Sequence, residues 1–425
     1  MNDMNESVRY RMEIPRDQGV DCSLALLTEG YNFIPNRIKR YQTNIFQSRL
    51  MGQKIICISG KEAAKIFYDT EKFQRAGAAP PRIQKSLFGQ KGVQTLDGQA
   101  HKHRKQLFMS LMTSERINVI SEMTTNQWQE AIGLWEQMNQ VKLFNEVNKI
   151  MYQIACKWAD VPLNYQELDK RTKELAALID AFGAVGPRHW RGRQARKQAD
   201  KWAAHLIQQV RDQKVKPHKE SALYKMAWHL ERNGQLLDIQ VAAVELINIL
   251  RPIVAIGRYI TFGALAMHEY PDTRKKMQMA NDDYKKMFVQ EVRRYYPFGP
   301  FLGARVQKDF FWNGHDFKKG TLVILDVYGI NRSPELWDNP NIFYPERFAD
   351  RNDDRYDFIP QGGGEYMMGH RCAGEWVTVE VMKKSLDFLA NRMEYDVPKQ
   401  DLSFSLTRMP TIIKSRFVIE NVKQV

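Results

Sequence analysis

Hydrophobic and polar positions follow two different periods along this chain, and the two sort it into long helical segments and a few short strands. Apolar residues recur at three- and four-residue intervals through Glu115 to Glu136 and through Arg171 to Phe182, the spacing of one buried helix face. The stretch from Val241 to His268 is apolar on nearly every side and too long for a strand, yet it is broken by Glu245, Arg251 and Arg258. Those charges argue against a membrane span and predict a long buried helix. Phe288 to Tyr295 also has helical spacing and stops ahead of Pro297, whose ring restricts the residue before it. Runs rich in β-branched and aromatic residues predict strands at Lys54 to Ile58, Phe310 to Trp312 and Leu322 to Leu325. After the first of these, Ser59-Gly60-Lys61-Glu62 has capping-box spacing and predicts a helix over Ala63 to Tyr68. The chain therefore reads as mainly α with small sheets. No Pro/Ser-rich linker or repeat divides it, so we expect one domain over residues 1–425.

Composition narrows the setting. The four cysteines, Cys22, Cys57, Cys156 and Cys372, have no paired spacing, so neither a disulfide framework nor a structural zinc site is expected, and the first three read as buried thiols. Met1 to Val20 mixes charged and polar residues without an apolar run, which predicts neither signal peptide nor anchor and a soluble, cytoplasmic protein. Lys and Arg total 63 against 49 Asp and Glu, a net charge of +14 that invites a nucleic-acid reading. Much of the excess sits in Arg188-His189-Trp190-Arg191-Gly192-Arg193 with Arg196 and Lys197, which we read as a solvated helix face and not a phosphate site. Neither a Gly-x-Gly-x-x-Gly dinucleotide motif nor a ferredoxin-like cysteine cluster is present, so no reductase module is expected in the chain.

The chemistry concentrates near the C-terminus. Pro360-Gln361-Gly362-Gly363-Gly364 leads into Gly369-His370-Arg371-Cys372-Ala373-Gly374-Glu375, a glycine-rich loop around a single thiol. A loop of this kind is either an ordinary turn with a structural thiol or a thiolate ligand for haem iron, where the thiolate pushes electron density onto the metal and favours O–O cleavage. Two features upstream favour the ligand: Glu291 and Arg294, three residues apart on a helix, and Arg347 in Pro345-Glu346-Arg347-Phe348. With Cys372 they stand in the order of the cytochrome P-450 superfamily, which the chain resembles over nearly its whole length. The resemblance implies that superfamily's helix-rich fold with small β-sheets and a buried haem b, Cys372 as the iron ligand, and a structural network of Glu291, Arg294 and Arg347.

The loop departs from the common Phe-x-x-Gly-x-Arg-x-Cys pattern, holding Glu365, Met368 and His370 at those places. Its Gln-Gly-Gly-Gly and Gly-His-Arg-Cys-Ala-Gly-Glu runs are similar to the fatty-acid peroxygenase branch. Where oxygen-activating members carry an acid and a threonine in the long buried helix, this chain has Arg251-Pro252. Proline has no amide proton and arginine does not release its own near neutral pH, so the pair cannot relay protons. Its fixed fork of donors instead suits a carboxylate. The expectation is that a fatty-acid carboxylate docks on Arg251 and shuttles a proton between the oxygens of hydrogen peroxide, giving hydroxylation at the alpha or beta carbon. No reductase would be obligatory.

The same resemblance runs through Phe73-Gln74-Arg75, Ser86-Leu87-Phe88-Gly89, His101-x-x-Arg104-Lys105 and Pro297-Phe298-Gly299-Pro300. It implies Arg75, His101 and Lys105 as cationic partners of the haem propionates, leaves Lys102 and His103 in solvent, and puts Phe88 and Phe298 in the substrate channel. Alkene-forming relatives carry histidine where this chain has Gln94; a glutamine amide does not titrate, so hydroxylation should dominate with side decarboxylation. Two other readings remain at this stage: an oxygen-dependent monooxygenase with separate redox partners, and a haem-binding sensor or carrier, in which Arg251-Pro252 has no evident use.

Overall fold

In a computed structural model, which describes residues 12–279, 282–351 and 354–425, the strand-like runs pair into small sheets and the helical segments pack into a layered bundle. The first eleven residues of the N-terminal stretch 1–20 lie outside the described residues. Five strands form the main sheet: β1 Ile45–Leu50, β2 Gln53–Ile58, β3 Phe73–Gln74, β4 Phe301–Val306 and β5 Leu322–Asp326, in the order β1-β2-β5-β4-β3. β2 and β5 run parallel, with Ile56 opposite Val323, and both faces of this central pair are covered. That is why Ile55 to Ile58 and Leu322 to Leu325 are continuously apolar and not alternating. Phe310–Trp312 forms its strand as expected, pairing with His315–Phe317 in a separate two-stranded ribbon.

The expected capping box does not form. The helix after β2 starts at Lys61, its N-cap is Gly60 with φ +97°, and no side chain caps it. The Ser59 hydroxyl donates instead to the buried Asp326 carboxylate at the end of β5, 3.1 Å away. A buried acceptor that has to be satisfied in the interior outcompetes a local amide.

The helices that frame the site are α1 Gly98–Met109, α2 Ser114–Trp135, α3 Leu143–Ala159, α4 Leu168–Asp180, α5 Pro187–Arg211, α6 Ile239–Glu269, α7 Asp282–Tyr295 and α8 Glu375–Asp387. α2 and α4 match the two segments of helical period, shifted by one to three residues at their ends. α6 starts where Asp238 accepts from the Gln240 and Val241 amides. It is buried on all sides from Ala242 to Met267 save at Pro252 and Ala255, packed by α3, α4, α5 and α8. Among the described residues it is the one helix long and apolar enough to cross a membrane, and here it forms the core of the bundle. Pro252 lies inside it, so the Asn248 carbonyl lacks its usual helical donor.

Cys22, Cys57 and Cys156 are buried free thiols. The basic run on α5 is not uniformly solvated: Arg191 and Lys197 are exposed, but Arg196 is buried, with Nη1 donating to the Leu87 carbonyl and the guanidinium 2.7 Å from Asp200. A polar cluster at helical spacing puts some members inward, and the aliphatic stem of arginine makes that tolerable when the head is paired.

Candidate functional site

The thiol loop is built by close approach. A Cβ on Gly363 would sit 2.5 Å from the Arg355 carbonyl oxygen, and one on Gly364 would lie 3.0 Å from the Tyr68 ring at a φ of +81°, so glycine is required where the loop crosses this tyrosine. Beyond the glycines, the Glu365 carboxylate accepts from the amides of Met367 at 2.7 Å, Gly369 at 2.9 Å and Met368. This is the physical use of the acid that replaces the usual phenylalanine: it ties the remodelled loop to itself. The Cys372 amide donates to the Gln361 carbonyl at 3.2 Å, and the Gln361 amide nitrogen lies 3.7 Å from Cys372 Sγ and 3.1 Å from Thr378 Oγ1. Gln361 therefore puts a donor on the sulfur, a contact the sequence reading missed although the residue lay within the loop it singled out. The thiol sits three residues before the start of α8, where Glu375 is held between Arg371 at 2.6 Å and Arg293 at 2.5 Å. Burial, and then the Glu375 carboxylate, push the Cys372 thiol up in pKa, while Lys105 opposes them. A coordinating metal is what would hold such a thiol deprotonated.

Around this loop the structure gathers the three residues assigned to haem propionates. Lys105 Nζ donates to the Arg371 carbonyl at 2.5 Å, directly beside Cys372. His101 stacks on His370 at 3.8 Å, and His370 faces Asp97 at 3.6 Å, while Asp97 accepts from the Arg75 and Ala76 amides. The Arg75 guanidinium lies 4.3 Å over the Phe67 ring. Among the described residues neither Arg75 nor Lys105 has an ion-pair partner, and burial lowers the pKa of both. A buried lysine and a half-buried arginine short of anions fit a group that brings its own carboxylates. One correction concerns His101: burial, and then His370 and Lys105, push it down to about 3, so at neutral pH it is not the cation expected. Lys102 is exposed as expected, but His103 is not free in solvent: it contacts the Leu230 carbonyl at 2.8 Å and tilts against His229. The segment 229–236 covers it.

Arg251 stands on α6, 6% exposed. One donor, Nη2, reaches Asn248 Oδ1 at 3.1 Å; Nε has no partner, and no carboxylate pairs with the guanidinium among the described residues. Burial, and then the nearby Arg196, push it down to about 9, opposed by Cys372 and Glu245, so it stays charged at neutral pH. Asn248 Nδ2 in turn reaches Gln94 Oε1 at 3.3 Å and Glu245 Oε2 at 3.0 Å. Gln94 and Arg251, far apart in the chain, thus meet through one asparagine. The spacing of Asn248 and Arg251, three residues on a helix, was the available signal for it. Phe298 stacks on Tyr259 of α6 at 5.1 Å. Phe88 is partly buried and precedes Gly89, where a Cβ would strike Arg196 and Val244; no ring contact joins the two phenylalanines.

Glu291, Arg294 and Arg347 come together away from these groups. Glu291 accepts bidentately from Arg294, at 2.7 Å on each oxygen, and also from Arg347 and the Tyr344 amide. The cluster clamps α7 to the loop that carries Arg347.

The arrangement has known counterparts. Residues 267–410 match the family model described as Cytochrome P450. Cytochrome P450EX alpha (CYP152N1), solved with myristic acid, is 42% identical and superposes with a TM-score of 0.94, covering 97% of this chain and 100% of its own. Cytochrome P450SP alpha (CYP152B1), solved in complex with (R)-ibuprophen, is 44% identical at a TM-score of 0.93, over 95% of this chain and 99% of its own. Cytochrome P450 OleT, a variant solved in complex with arachidonic acid, is 37% identical at a TM-score of 0.95, over 97% of this chain and 99% of its own. A shared fold at this identity, together with the thiol loop and the buried Glu291 network just described, means that the chain belongs to the cytochrome P450 family, on the branch of these CYP152 and OleT structures.

Proposed function

We propose that the protein is a peroxygenase that hydroxylates long-chain fatty acids at the alpha or beta carbon, with side decarboxylation to terminal alkenes. The observation that carries this reading is Arg251: a buried, charged guanidinium in the middle of the core helix, with a free Nε and no carboxylate partner among the described residues. Leaving such a group open is costly unless an anion arrives to complete it. The ligands named for the three neighbours, myristic acid, (R)-ibuprophen and arachidonic acid, are all carboxylic acids.

In this reading Cys372 ligates haem b, and Arg75, His101 and Lys105 face its propionates; the haem supplies the redox chemistry at iron that activates peroxide. Arg251 holds the substrate carboxylate bidentately through its open donors and fixes which methylenes reach the oxidant, the two nearest the carboxylate. Held there, the carboxylate takes a proton from one peroxide oxygen and returns it to the other, which leaves as water, so one peroxide and one C–H bond give one hydroxyl and one water. Pro252 has no amide proton to offer, and Gln94, whose Oε1 is engaged by Asn248, offers no titrating group, so the substrate is the acid–base. Phe88 and Phe298 line the acyl channel. Gln361 tempers the sulfur through its amide donor, and Glu365 holds the loop shape. The enzyme works as one domain over 1–425, soluble and cytoplasmic, without an obligatory reductase and without nucleic acid, and the exposed cations Arg191 and Lys197 steer anionic substrates. The test is to supply the haem-loaded protein with myristic acid and hydrogen peroxide, without reductase, and identify products by mass spectrometry. Hydroxy acids are expected. Product that forms only with oxygen and electron donors would return the reading to a monooxygenase.

A further inference from the structure

Glu245 lies on α6 and is completely buried, one amide away from Arg251, yet the two do not pair. Its Oε1 accepts from Arg104 Nη1 at 2.9 Å and from the Val93 amide at 2.8 Å, and its Oε2 accepts from Asn248 Nδ2 at 3.0 Å. Arg104, on α1 and also buried, spends its other arm on Glu231 Oε1 at 2.5 Å, a partly exposed carboxylate in the segment that covers α1. The result is a chain, Glu231, Arg104, Glu245, Asn248, Arg251, running from the surface to the open guanidinium, with an amide as the last link. Two buried arginines thus flank one buried carboxylate. Burial pushes the Glu245 carboxyl up in pKa, with Asn248, Arg104 and the Val93 amide opposing it, so without Arg104 the cation that can keep it ionised is the nearby Arg251, and the pairing of Glu245 with Arg104 decides whether Arg251 stays open.

We propose that Arg104 is a positioning residue for substrate binding: by holding Glu245 on the side of the Val93 to Gln94 turn, it keeps that carboxylate from competing with a substrate carboxylate for Arg251. This rests on the reading of Arg251 as the carboxylate-binding group. It also explains why Asn248 stands between the two: an amide satisfies one donor of Arg251 and one acceptor of Glu245 without neutralising either. A charge left to be neutralised by the substrate is what selects for acids over esters and alcohols.

The test is calorimetric titration of the haem-loaded protein with myristate, which reads binding without turnover. Arg104→Gln frees Glu245 and should weaken myristate by about tenfold or more. Arg104→Gln combined with Glu245→Gln removes the competitor and should recover most of that loss, since coupled partners are non-additive. Glu245→Gln alone should bind myristate as tightly as the unaltered protein or tighter, and Arg104→Lys, which retains the charge, should stay within a few-fold. If Arg104→Gln does not fold, the Glu245→Gln result decides: a loss of binding there would mean that the carboxylate supports Arg251 and does not compete with it, and the proposal falls. It falls equally if the folded Arg104→Gln protein binds myristate normally, or if the double variant binds no better than Arg104→Gln. Arg251→Ala separates the two levels: if it binds myristate like the unaltered protein, the carboxylate reading of Arg251 is what failed.

Discussion

Arg294 on α7 and Arg251 on α6 are both buried within helices, and their surroundings treat them in opposite ways. Arg294 spends Nε and both Nη atoms on the two oxygens of Glu291 and on the carbonyls of Asn331, Pro340 and Ile342. Arg251 spends one donor on a neutral asparagine and keeps Nε free. The first is a structural joint, because each donor atom is used inside the protein. The second, in the proposed reading, is half a binding site. Burial alone does not separate them; satisfaction does.

The comparison can be broken at its structural end first. Glu291→Ala leaves Arg294 and Arg347 without their anion in the interior, so stability should drop by about 3–5 kcal/mol, read as a shift of the urea midpoint. At the other end, Arg251→Met removes a cation whose fold-imposed pKa, about 9, lies below its ordinary value of 12.5, so the charged form is disfavoured by folding and its removal should hold or raise stability. Peroxide-driven hydroxylation of myristate by the same variant should fall about 100- to 1000-fold in kcat/KM. A stability loss at Arg251 like that at Glu291 would erase the distinction.

Titration sharpens it further. Between pH about 5, above the ordinary carboxyl range, and pH about 9 Arg251 is protonated and the fatty acid ionised, so myristate affinity should be flat; above that window the cation is lost and affinity should fall toward tenfold per pH unit. A flat profile to pH 10 in direct binding would show that charge pairing at Arg251 is not the main contact. The smallest expected effect belongs to Gln94→His, which adds a titratable ring beside Asn248 and should raise the alkene share of the product a few-fold with modest change in total turnover.

Much of this was legible in the order of residues. The buried helix around Arg251, the central strands and the Glu291-x-x-Arg294 pairing follow from period, run length and spacing, which are local properties. The wider network around Arg251 and Asn248 was not. Gln94 and Arg104 come from distant segments, and whether a carboxylate such as Glu245 pairs with Arg104 or Arg251 is settled by three-dimensional reach. The failed capping box at Ser59 has the same origin: a local pattern lost to Asp326, more than 260 residues away. His101 shows the limit for charge, since the neighbours that keep it neutral, His370 above all, are brought by the fold.

The central claim is that Arg251 is left open for a substrate carboxylate that also serves as the acid–base group. It is tested most directly by comparing myristic acid with its methyl ester as substrates for the haem-loaded enzyme with hydrogen peroxide, with products quantified by mass spectrometry. Hydroxylation of the acid with turnover of the ester near background is the expected result. Equal turnover of acid and ester would contradict it.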